Sequence, residues 1–119
     1  MLFRSAYRDD KGVAYGVAKA ASDRMAACMA HELREHGIAA VSLYPGLVRT
    51  ESVMKAAEYF DLSNSESPQF VGRAVAALAA DPDIMQKSGR TLVVAALAQE
   101  YHFTDVDGKQ PRALTVEEV

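Results

Sequence analysis

The stretch Tyr15-Gly-Val-Ala-Lys19-Ala-Ala-Ser-Asp23 decides how this chain is read. It opens the longest helical pattern and leads, through an apolar run, to a proline–glycine turn. Ala14, Ala18, Ala21, Met25, Cys28, Met29 and Leu33 recur at three- and four-residue steps. That spacing predicts a helix over Tyr15–His36 with those residues on its packed face. Asp23, Arg34 and Glu35 fall opposite, and Gly37 stands where a left-handed cap belongs. Ile38-Ala-Ala-Val-Ser-Leu43 is almost wholly apolar, the pattern of a parallel strand buried on both faces. Pro45-Gly46 ends it.

Farther along, Arg49 to Glu66 lacks strong periodicity. Ser63-Asn-Ser-Glu-Ser67 is its most loop-like part and is expected to lie where loops contact substrate. Ser67-Pro68 reads as an N-cap followed by proline in the first turn. The helix it opens runs to Ala80, with Val71, Ala74, Val75 and Leu78 inward, and Asp81-Pro82 stops it. The turn Lys87-Ser-Gly89 introduces a second strand, Arg90–Ala95. Beyond Gln99 the chain turns polar around Asp107-Gly108 and is expected to fray. Helix–strand–helix–strand is the grammar of an α/β fold with an incomplete parallel sheet. Two strands cannot cover their own edges, so further strands are expected from another chain or, in preference, from a longer native protein.

Composition narrows the function classes. Of 119 residues, 50% are hydrophobic and 24% charged, the balance of one small globular domain. A net charge of −3 with interspersed signs supplies no basic stripe for nucleic acid. The single cysteine, Cys28, forms no internal disulfide, fits a cytoplasmic, reducing setting and reads as a packed small hydrophobe. No apolar run is long enough to span a bilayer, and no Cys/His spacing suggests a metal site. Met1-Leu-Phe-Arg-Ser5 is one translation of a common sequencing-adapter tail, so residues 1–12 are set apart as an irregular, foreign-looking N-terminus.

The chemistry centres on Tyr15 and Lys19, four apart on one helix face. A phenol titrates near ~10 and is a poor base at neutral pH, but a neighbouring ammonium favours the phenolate. Tyr7 and Lys11 match the same spacing but lie in a charged, turn-like stretch with no helical stripe behind them. Context therefore selects Tyr15. The helix and strand that follow end in Tyr44-Pro-Gly-Leu-Val-Arg-Thr50.

Together these two motifs resemble the short-chain dehydrogenase/reductase family, in which a Tyr-x-x-x-Lys helix leads to a strand and a Pro-Gly-x-Val-x-Thr segment. Ala30-His-Glu-Leu-Arg-Glu-His-Gly37, Val41-Ser-Leu-Tyr-Pro-Gly46 and Tyr101-x-x-x-Asp105-Val-Asp-Gly108 resemble one branch of that family and its bacterial relatives. The resemblance implies the C-terminal half of a Rossmann-like, doubly wound fold, carried by residues 13–98 and followed by a polar tail, 99–119. It implies an oxidoreductase that moves hydride between NAD or NADP and a small carbonyl compound or secondary alcohol. Tyr15 would be the acid/base. Lys19 would lower its pKa and hold the nicotinamide ribose. Pro45 and Gly46 would let the backbone pass close to the nicotinamide, Val48 would meet the carboxamide through its backbone, and Thr50 would contact the cofactor. Members commonly pair through the long helix, so a homo-oligomer is expected.

Two of the family's parts do not appear. There is no Gly-x-x-x-Gly-x-Gly loop to cradle the pyrophosphate, and the positions about a dozen residues before Tyr15 are Met1, Leu2 and Phe3 rather than the catalytic serine. The chain by itself is therefore expected to be inactive. Thr50 also suits a plain helix cap. Arg49 reads as a solvated charge rather than a phosphate ligand, Met25 and Met29 as core, and His31, His36 and His102 as surface. Met54 is left as a candidate for touching substrate. The competing class is a non-catalytic interaction module. An extended-type nucleotide-sugar epimerase fits the Pro-Gly-x-Val-x-Thr segment less well.

Overall fold

A computed structural model describes residues 12–115. The irregular N-terminus and the Tyr7–Lys11 pair thus lie outside the described residues, apart from Gly12. These divide into two compact units, one built on residues 12–42 with Asp83–Thr91 and 114–115, the other on Leu43–Pro82 and Leu92–Ala113.

The first unit is dominated by helix α1, Gly12–Leu33, extended by a 3-10 turn at Arg34–His36. Gly37 closes it at φ 67°, the left-handed region that glycine enters without steric cost, and its amide donates to the Arg34 carbonyl. The expected helix and its stop are both present. Its packed face is not the expected one. Ala14, Ala18, Ala21 and Cys28 are exposed, as are Met25 at 60% and Met29 at 43%. The less exposed positions are Gly16, Ala20, Asp23, Ala26, Ala30 and Leu33, with Ala30 buried. At the buried Ala30 the helix comes close to Gly89, where an added Cβ would stand 3.4 Å from that of Ala30. Segment 38–42 runs beside 88–90, tied by Gly89 N–H to the Ala40 carbonyl (2.7 Å), Ala40 N–H to Ser88 Oγ (3.1 Å) and Ser42 N–H to the Arg90 carbonyl (3.1 Å).

Strand β1 is Ser42–Tyr44, shorter and later than expected, and Ile38 is 49% exposed. It pairs in parallel with β2, Thr91–Val93, to make a two-stranded sheet. A mainly helical chain with a small parallel two-stranded sheet is consistent with the partial α/β, Rossmann-like fold expected.

In the second unit, α2 spans Glu51–Lys55, followed by a 3-10 turn at Ala57–Tyr59. Helix α3, Pro68–Ala80, starts as the sequence predicts: the Ser67 hydroxyl accepts from Phe70 N–H and proline occupies the first turn. Phe70, Ala74 and Leu78, at four-residue steps, form its buried face, whereas Val75 is 51% exposed and Val71 only half-buried. The run read as one strand to Ala95 instead breaks after Val93. Val94–Tyr101 is helix α4, with Val94, Ala95, Leu97 and Ala98 buried. Phe70 meets Phe103 edge to face, with ring centroids 5.3 Å apart. The stretch expected to fray makes hydrogen bonds as far as Arg112. Gln110 Nε2 donates to the Ala98 carbonyl (2.9 Å), Arg112 N–H to Asn64 Oδ1 (2.8 Å), and Asp105 is buried.

Candidate active site

Tyr15 and Lys19 lie in the first unit, on successive turns of α1. The Lys19 Nζ stands over the Tyr15 ring, 5.5 Å from its centroid, within the range where an ammonium and an aromatic face attract. Tyr15 is 40% exposed. Asp23 continues the same stripe one turn on, and its Oδ1 accepts from the Ser42 hydroxyl at 2.6 Å. That bond fixes the rotation of α1 against the start of β1.

Pro45, Gly46, Val48 and Thr50 belong to the second unit. Just after β1, the chain pairs with Glu66 through a parallel bridge at Val48: Glu66 N–H donates to the Leu47 carbonyl (2.9 Å) and Arg49 N–H to the Glu66 carbonyl (2.8 Å). In a parallel bridge the flanking residues face the partner, so the amide of Val48 itself is directed away from Glu66. Thr50 caps α2, its hydroxyl accepting from Val53 N–H at 3.3 Å. The capping alternative is thus realised. Met54 is 48% exposed.

Gly46 is crowded by the protein itself. A Cβ added there would lie 3.0 Å from Glu66 Oε1 and 3.4 Å from its carboxyl carbon. Its amide hydrogen-bonds the Glu66 carboxyl. The requirement for glycine at this position therefore comes from the close approach of a buried acid.

That acid belongs to a polar belt that the sequence did not reveal. Arg49, expected to be solvated, directs Nη1 to the Ser65 carbonyl (2.9 Å) and hydroxyl (2.8 Å), and Nη2 to Asp105 Oδ2 (3.3 Å). Asp105 also accepts from the Ser67 amide (2.8 Å), the Ser67 hydroxyl and the Val106 amide (2.6 Å). Burial pushes the Asp105 carboxyl up, but the Ser67 and Val106 hydrogen bonds and the Arg49 charge outweigh it and hold the group below its ordinary value. Glu66 goes the other way. Burial pushes it up and the Asp105 charge adds to this, against the Gly46 amide and Arg49. The loop expected to reach substrate thus holds three buried polar residues, Ser65, Glu66 and Ser67. A cluster of serines around a glutamate was the available signal, but their partner Asp105 lies 38 residues beyond Ser67. No group of three or more metal-ligating side chains occurs among the described residues, and no described helix is long and apolar enough to cross a membrane.

Comparison with known proteins adds to this geometry. Residues 5–59 match the profile of the family described as short chain dehydrogenase. Dehydrogenase/reductase SDR family member 1 of Mus musculus is 47% identical over 110 residues, covering 82% of this chain and 35% of its own length. The Homo sapiens protein of the same name is 43% identical over the same span and coverage. The chain therefore spans about a third of the length of the curated relatives it matches.

Proposed function

Because this chain belongs to the short-chain dehydrogenase/reductase family, we propose that it carries the proton-transfer half of an NAD(P)-dependent oxidoreductase acting on a small carbonyl compound or secondary alcohol. The observation that carries the reading is the Lys19 ammonium over the ring of Tyr15, one turn apart on α1. In the reducing direction the Tyr15 hydroxyl gives its proton to the carbonyl oxygen of the substrate, and in the oxidising direction the phenolate takes it back. Lys19, one turn on from Tyr15, would offer its donors to the nicotinamide ribose. The Ser42–Asp23 bond holds the helix that bears both groups. NAD or NADP, when bound, supplies or accepts the hydride at the carbon. Pro45 and Gly46 would provide the backbone against the nicotinamide, and the amide of Val48, directed away from Glu66, would meet the carboxamide. Thr50 adds a contact while capping α2.

In this reading residues 13–98 form the C-terminal part of the Rossmann-like domain in a cytoplasmic enzyme, followed by the polar tail, 99–119, within which Asp105 bonds Ser67 and Arg49. The 119 residues contain no glycine-rich phosphate loop, so alone they are expected neither to bind NAD(P)H nor to turn it over. The test is a chimera in which this chain replaces the aligned segment of the mouse relative. It should oxidise NAD(P)H with a panel of aldehydes and ketones. A folded chimera with no turnover on any of them would overturn the reading.

A second reading, an association module, draws on the exposed apolar residues of α1: Val13 at 84%, Val17 at 63%, Met25 and Met29. The two are compatible if the protein pairs through this helix as a homo-oligomer. Sedimentation of the chimera distinguishes a dimer from a monomer.

A further inference from the structure

Glu66 is a buried acid beside the segment assigned to the cofactor, and the proton-transfer chemistry gives it no task. It is 2% exposed, and its Oε2 has no hydrogen-bond partner. Evolution has cheaper choices for such a place. The backbone ladder that Glu66 makes with Leu47 and Arg49 uses only main-chain atoms, so any residue but proline at this position would supply it. A leucine would fill similar space without desolvating a carboxyl, and burying a polar group without partners is costly. What the side chain adds is one contact: its carboxyl accepts from the Gly46 amide, against a glycine whose missing Cβ makes room for it.

We propose that Glu66 is the positioning residue of the Pro45–Val48 segment, its carboxyl pinning Gly46 from behind so that the opposite side of that backbone is held in place for the nicotinamide end of the cofactor. The three tethers act in order along the chain, the side chain on Gly46 and the main chain on Leu47 and Arg49. They leave the amide of Val48 aimed the other way. Without the first tether the segment keeps its ladder but gains freedom at the proline–glycine turn, one residue after β1. The neighbouring charges fit this role. Asp105 is committed to Ser67 and Arg49, and Arg49 to Ser65 and Asp105. Neither competes for the Glu66 oxygen that faces Gly46. The inference rests on the reading that Pro45–Val48 meets the nicotinamide.

Two substitutions separate positioning from mere filling. Glu66→Gln keeps a carbonyl oxygen for the Gly46 amide, whereas Glu66→Leu keeps the volume and loses the acceptor. In the full chain within the chimera described above, Glu66→Leu should weaken NAD(P)H binding, read by fluorescence titration, by about tenfold, with kcat changed by less than about twofold, as expected when a supporting hydrogen bond is removed. Glu66→Gln should bind within about threefold of the parent. Amide exchange should show Gly46 losing protection in Glu66→Leu and keeping it in Glu66→Gln, while the α3 amides stay protected in both. If the parent binds the cofactor and Glu66→Leu binds it equally well, the positioning role is wrong and the functional reading stands. If Glu66→Gln is as impaired as Glu66→Leu, the Gly46 contact is not what matters and the inference is overturned. If the folded parent binds no NAD(P)H, the functional reading fails, and this inference fails with it.

Discussion

Replacing Asp105 by alanine should be the most damaging polar substitution in the second unit, and the structure supplies its magnitude. The carboxylate accepts from the Ser67 amide and hydroxyl, both buried, and from the part-buried Val106 amide. A hydrogen bond to a charged group contributes about 1.5–3 kcal/mol, and a donor left unsatisfied in the interior costs a similar amount. The Arg49 contact adds little, because its side chain is 26% exposed and solvent screens it. The two Ser67 bonds therefore set an expected loss of about 3–5 kcal/mol. Urea unfolding of the 119-residue chain, followed by far-ultraviolet circular dichroism, reads this as a lower midpoint at an unchanged slope. Asp105 also imposes a sign on the pH dependence. Its carboxyl is held below the ordinary value of 3.8, so its stabilisation is present above that pH and is lost as pH falls through the depressed value. The alanine variant should lack this acid limb. A loss under about 1 kcal/mol, or an acid limb unchanged in the variant, would refute the claim that Asp105 anchors Ser67 and the start of α3.

Three further outcomes follow from the same coordinates. Phe70→Ala empties a site that is 0% exposed and removes the contact with Phe103, so thermal or urea unfolding should show a loss of about 3–5 kcal/mol. Gly46→Ala drives a methyl to within 3.0 Å of Glu66 Oε1 and should cost about 1–3 kcal/mol, measured by urea unfolding; a double-mutant cycle with Glu66→Ala should recover much of that, because the shorter side chain vacates the space. Glu66 acts opposite to Asp105: its folded value is raised, so its contribution is complete below the ordinary 4.5 and is lost as pH climbs through the raised value. A decline in stability above that pH that vanishes in Glu66→Gln checks the assignment, and an identical decline in the variant contradicts it.

The features legible in the sequence were those written in consecutive residues. The Tyr15–Lys19 pair, the Gly37 stop and the Ser67-Pro68 start each depend on neighbours within four positions, and each is where the spacing predicts. Apolar counting failed on α1 because two faces compete there. Its larger side chains, Met25 and Met29, suggest a core, yet the buried residue is Ala30, close to Gly89. Val93-Val94-Ala95-Ala96 gave no periodicity to separate strand from helix, and α4, at 8 residues, is too short to announce itself. The belt was invisible for a different reason. Arg49 and Asp105 are 56 positions apart, and nothing local to either names the other. Gly46, expected to stand close to the nicotinamide, has its nearest neighbour within the protein in Glu66, a residue of the expected loop.

The central claim, that Tyr15 is the proton-transfer group of a nicotinamide-dependent oxidoreductase, is tested most directly by Tyr15→Phe in the chimera with the mouse relative. The substitution removes one oxygen and leaves the ring beneath Lys19 in place. NAD(P)H affinity should be retained, while kcat falls by about 10²–10⁴-fold, the range set by losing a general acid. A kcat within a few-fold of the parent, at unchanged cofactor affinity, would show that the proton comes from elsewhere and would contradict the account.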